Sequence, residues 1–139
     1  MADVSVTAAS VVKSATGKSA SGTAGATITA GQPLYQDAAD SNSLKPAQAT
    51  SAKYKVVGIA EHGAADGQPI TYCYEDDDFT PGFTSAVGVA YFASPTAGGI
   101  APIADAATGD YVSVIMVGKS TSKVKLNCSA LGRADAASA

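Results

Sequence analysis

Gly31-Gln-Pro-Leu-Tyr35 and Gly88-Val-Ala-Tyr-Phe92 are two copies of one unit, each placing an aromatic residue four positions after a glycine. Each is followed by a proline among small residues, Pro46-Ala47 or Pro102-Ile103, and then by a β-rich segment that closes on glycine, Tyr54 to Gly58 or Tyr111 to Gly118. A third fragment, Gly67-Gln-Pro-Ile-Thr-Tyr72, repeats the opening without the sequel. Short apolar runs punctuated by Gly and Pro predict strands and turns, and their recurrence predicts an imperfect internal duplication. The fold class that follows is all-β: a compact β-sandwich or barrel-like domain of short strands.

Strands are predicted at 26–29, 33–37, 53–60, 69–75, 86–93, 110–118 and 121–128. The run 111–117 is apolar on both faces apart from Ser113, which predicts a central strand. Turn chemistry separates these segments at Ser41-Asn42, Gly63 to Gly67, Pro81-Gly82, Gly98-Gly99 and Thr108-Gly109-Asp110. No stretch sustains the spacing of an amphipathic helix. Residues 1–25 hold little to fill a core, and Ser14 to Gly25 is of low complexity, so they read as a flexible N-terminal arm ordered by other chains. The domains expected are thus an arm at 1–25, a β-domain at 26–128 and a flexible C-terminal tail at 129–139.

The core available to this domain is thin. The 139 residues include 29 alanines but only 33 large apolar side chains and no Trp. A small domain already buries a modest share of its surface, so partner subunits are expected to add stability. Net charge is −3 and unevenly spread. Eight carboxylates and no Lys or Arg occupy 56–118, whereas Lys119, Lys123, Lys125 and Arg133 follow with no acid between them. That asymmetry predicts complementary surfaces on neighbouring copies, or opposite charges solvated on separate faces. Nucleic-acid binding is disfavoured, since three lysines on one segment fall short of a concentrated basic patch with stacking aromatics. No apolar run reaches membrane-spanning length, and no secretory signal is visible.

Several stretches imitate catalytic motifs. Gly17-Lys18-Ser19 and Gly118-Lys119-Ser120 end like a phosphate-binding loop, but Val12 and Ser113 stand where the leading glycine belongs. His62 is the only histidine and reads as a turn residue. Cys73 and Cys128 match no metal or redox spacing and read as buried free thiols. Glu75-Asp76-Asp77-Asp78 lacks the spaced ligands and turning glycine of a calcium loop, and reads as a solvated acidic loop or a patch for a basic partner. Asn127-Cys128-Ser129 fits a glycosylation sequon only formally. No catalytic residue, metal or cofactor is expected. Phe79 and Phe83 flank a Pro-Gly turn and either tuck over the sheet end or anchor a partner.

Ala24 to Tyr35, Val56 to Ala60, Gly67-Gln-Pro69, Val89 to Pro102 and Gly109 to Gly118 together resemble the head decoration, or capsid cement, proteins of tailed bacteriophages, over about residues 24–127. The resemblance implies a non-enzymatic virion protein, made in the host bacterial cytoplasm, that binds the outer capsid surface as a homotrimer and bridges major capsid protein subunits. It carries turn glycines and strand residues and no reactive groups. The acidic run and the Phe79–Phe83 loop depart from the family pattern. The runner-up reading is a head-fibre or tail-associated β-module that binds a host surface. Candidate partner-contact residues are Val4, Val6, Val11 and Val12 of the arm, Phe79 and Phe83 of the loop, and Lys119, Lys123 and Lys125 of the basic segment.

Overall fold

The computed structural model describes residues 4–50, 53–106, 108–112 and 114–128. Among these residues ten strands form one antiparallel sheet that curls into a half-barrel: β1 (Val11–Val12), β2 (Lys18–Thr23), β3 (Pro33–Asp37), β4 (Ser43–Pro46), β5 (Gly58–Ala60), β6 (Pro69–Pro81), β7 (Ala90–Ala93), β8 (Ile100–Pro102), β9 (Val114–Gly118) and β10 (Val124–Asn127). The main path runs β4-β3-β5-β6-β10-β9-β7-β8, and β1 and β2 join β6 off that path.

This order reads the same from either edge. Each repeat supplies a first strand (β3 or β7), its hairpin partner (β4 or β8), a third strand on the first one's other side (β5 or β9) and a fourth beyond it (β6 or β10). The fourth strands pair with each other and join the halves. The duplication legible in the sequence is therefore a duplication of topology.

The motif glycines explain why it recurs. Gly31, Gly67 and Gly88 have φ of 91°, 88° and 78°, and each lies two residues before a strand. The next residue closes the turn by donating its N–H three residues back: Gln32 to Thr29, Gln68 to Ala65 and Val89 to Ala86. Glycine adopts the required positive φ without the Cβ clash other residues meet. In the two Gly-Gln-Pro copies the glutamine Oε1 also accepts from the first residue of the turn, Thr29 N at 3.0 Å and Ala65 N at 2.8 Å.

Burial follows from the curl. The main cluster joins both repeats through Tyr35, Val56, Ile59, Cys73, Phe79, Phe83, Tyr91, Ile100, Ile115, Met116, Val124, Leu126 and Cys128. A second cluster, with Ile28, Leu34, Leu44, Ile70 and Tyr72, fills the opposite face of the first repeat. There β2 nearly closes a small barrel, since Ala24 bridges Leu44 in parallel and Gly25 N donates to Leu44 O at 2.8 Å. A third, smaller cluster of Ala49, Phe92 and Ala101 lies under the loops of the second repeat.

Four departures from the expected elements stand out. Of the arm expected at 1–25, residues 18–23 instead form β2 against β6 of the same chain, and Val11 is buried in the main cluster with Val4 and Val6 packed on it. Lys-Ser-Ala-Ser-Gly-Thr carries no apolar alternation, so the edge of β6 and not the segment's own pattern makes it a strand. The acidic run is not a loop: Glu75 to Asp78 lie inside the 13-residue β6. Strands β4 and β8 escape the sequence pattern, because each is three or four residues ending in proline. Conversely, 26–29 makes only an isolated bridge through Ile28. The expected tail at 129–139 lies outside the described residues.

Candidate interaction surface

The basic and acidic segments meet within one chain. Because β10 pairs with β6, Lys119, Lys123 and Lys125 stand beside the acidic run. Lys119 Nζ donates to Asp78 Oδ1 and to Asp77 O, both at 2.7 Å, and the Asp78 hydrogen bond raises the lysine's pKa. Lys123 Nζ donates to Thr80 Oγ1 at 2.6 Å, and Lys125 Nζ lies 4.0 Å from Asp77. The complementarity expected between copies is satisfied internally. Lys123 and Lys125 nonetheless point outward, alternating along the strand with the buried Val124, Leu126 and Cys128.

Asp76 is the exception in the acidic run. Its side chain is the one buried charged group among the described residues, 1% exposed. Oδ2 accepts from Ser14 N at 2.7 Å, Oδ1 accepts from Asp78 N at 3.0 Å, and Oδ1 also takes the Ser14 hydroxyl. Burial pushes its pKa up, but the donors from Ser14 and Asp78, with the field of Lys123, outweigh that and hold it below the ordinary carboxyl value. A bulge in the β6–β10 register between Val124 and Leu126 is what turns Asp76 inward beside Leu126.

Of the apolar contact candidates, only Val12 is largely exposed. Phe79 and Phe83 belong to the core, Phe79 fully buried and Phe83 edge-on to Tyr91 with ring centroids 5.1 Å apart. They are therefore withdrawn as surface anchors, as is Val11; Val4 and Val6 are half-buried against the same cluster. Burial won because β6 continues through the acidic run and delivers Phe79 to the sheet interior.

The sequence missed a different apolar surface. β9 is central in the sheet order, as predicted, yet Val114 is 41% and Val117 38% exposed. They border a hollow of about 220 Å³ walled by Ile115, Met116, Lys125 and Asn127. By register, Val117 sits across from Ala90 on β7 and Lys125 on β10, and Tyr91 sits between Met116 and Pro102, the residue before the exposed Ile103. An apolar run with no polar face was the available signal; that no described residue covers it was not readable.

The groups that could have suggested chemistry differ in exposure. His62 is exposed, with Nδ1 against Gly63 O and Nε2 accepting from Thr71 N at 3.1 Å. Cys73 and Cys128 are buried free thiols, as expected, and burial pushes the Cys73 thiol up to about 11. No group of three or more potential metal-ligating side chains is found among the described residues. No family model, curated protein or solved structure matches the chain.

Proposed function

We propose that this chain is a virion structural protein that decorates the outer surface of a phage capsid and stabilises it by bridging major capsid protein subunits, acting as a homotrimer. The observation that carries the reading is the exposed apolar face of β9, which no described residue covers. A small chain with a thin core leaves Val114 and Val117 in the open beside a hollow, where covering them would stabilise it. The flanking Lys125 and Asn127 supply a polar rim of the kind that surrounds the apolar centre of a protein–protein contact. The resemblance in the turn glycines and strand segments supports the same reading. Repetition of one modest contact by three subunits makes an avid clamp from weak parts.

Cosedimentation with purified capsids tests it. Binding to expanded capsids is expected, and Val114→Ser with Val117→Ser is expected to abolish it while leaving the fold intact. No binding to capsids, together with binding to host cells, would overturn it in favour of a head-fibre or tail-associated module.

A further inference from the structure

The segment carrying β1 and β2 is attached to the body in an unusual way. Whereas β1 seats Val11 in the main cluster, the side chains of β2 are exposed or half-buried throughout, so β2 is held mostly by its ladder to β6 and by polar contacts. Those contacts are Lys18 to Glu75 at 3.3 Å, Ser19 Oγ to Glu61, and Ser14 to Asp76. β2 lies on the β6 edge opposite β5 and β10, since Cys73 pairs with both Ser19 and Ile59, and Glu75 with both Lys18 and Asn127. Removing the segment would free the longest strand of the sheet along one edge, a template for another strand.

The seat is selective. Of the three hydrogen bonds to the Asp76 carboxylate, two come from Ser14 on the segment, one from its N–H and one from its hydroxyl. A foreign strand without a hydroxyl residue in that register would leave a buried carboxylate underpartnered, which is costly. The surface thus fits one occupant best: the same segment from a second copy of this chain.

We propose that the segment ending at Thr23 exchanges between copies, β1 and β2 of one chain pairing with β6 of another, with the Ser14–Asp76 contact selecting the strand. The exchanged and closed forms contain the same contacts outside the pivot, so the balance between them is set by concentration and by the pivot. Gly25, just past β2, is the glycine nearest the pivot, and its N–H hydrogen bond to Leu44 O is the contact that crossing there would have to break or keep. The proposal goes beyond capsid decoration and can fail or hold without it.

The test uses the full chain in concentrated solution without capsids. Ser21 and Thr71 are register partners on β2 and β6. Ser21→Cys protein is mixed with Thr71→Cys protein, refolded together and oxidised with glutathione disulfide. A disulfide-linked heterodimer carrying the 21–71 bond is expected, with its yield falling at least severalfold when Ser14→Ala is added to the first chain. The double variant in one chain, which forms the 21–71 bond internally at high dilution, verifies that the pair can close. Closure in that control with no heterodimer at any concentration would overturn the proposal, as would a heterodimer yield indifferent to Ser14→Ala for the selecting role of that contact.

Discussion

β5 and β9 hold the same place in the two repeats and meet different surroundings. Pro33 sits across from Ile59 as Ala90 sits across from Val117, so Ile59 and Val117 are register equivalents. Ile59 is buried in the main cluster, whereas Val117 is exposed. The first strands differ in the same sense: Leu34 and Tyr91 both pair with the proline of their hairpin, yet Leu34 packs in the second cluster and Tyr91 in the main one. Duplication has preserved strand connections but not the face each strand buries. In a sheet with a side-chain period of two, a one-residue irregularity exchanges the faces. Such irregularities lie in the second repeat, between Tyr91 and Phe92, at the junction, between Val124 and Leu126, and on the other edge of β6, between Lys18 and Ser19.

The hardest test of that comparison removes a buried side chain from each repeat. Leu34→Ala and Phe92→Ala are each expected to cost about 2–5 kcal/mol, because both side chains are fully buried in packed clusters. Equilibrium unfolding in urea should show one transition shifted by either change. Two separate transitions would break the description of the repeats as one sheet joined through β6 and β10.

The strap of β1 and β2 pairs only with β6, a strand of the first repeat, so contacts there distinguish the halves next. Ser14→Ala removes the hydroxyl donor to the buried Asp76 carboxylate, keeps the backbone one, and is expected to destabilise by about 1–3 kcal/mol. Since Asp76 has a lowered pKa when folded, its contribution is full above the ordinary carboxyl value of 3.8 and is lost as pH falls through the folded value. Wild-type stability should therefore decline below about pH 4 more steeply than that of Asp76→Asn, measured by denaturant midpoint across pH.

A finer comparison is offered by the motif glycines. Gly88→Ala places a Cβ in open space and is penalised only by the positive φ, roughly 1–2 kcal/mol. Gly31→Ala carries that strain and also meets Val6 Cγ1 at 2.6 Å and Val11 Cγ2 at 3.0 Å, so its thermal midpoint should fall further. Equal shifts would mean that Val6 and Val11 do not press on the first repeat.

The smallest stability effects are expected at the open face of the second repeat. Val117→Ser should change stability by no more than about 0.5 kcal/mol while lowering capsid occupancy in cosedimentation. Lys123→Glu with Lys125→Glu adds carboxylates beside Asp77 and should lower occupancy less than the valine change, because these lysines already face polar and acidic groups of their own chain. A larger loss from the lysine pair would mean that charge, and not apolar cover, dominates attachment.

The all-β class, the duplication and the turns are written in the residues themselves. Glycine's tolerance of positive φ is a property of a single residue, so Gly31, Gly67 and Gly88 announce their turns without help from the rest of the chain. Strands with their own apolar pattern, such as Pro33–Asp37, are legible for the same reason. The fate of polar or irregular segments was settled by the folded sheet. Lys18–Thr23 is a strand because β6 offers an edge, and the acidic run is a strand because its bulge sends Asp76 inward and Phe79 into the core. The same holds for the open face, where Val114 and Val117 look in sequence like any buried residues of a central strand. Whether a side chain is covered depends on what the curl of the sheet brings over it, a long-range property that no local pattern records.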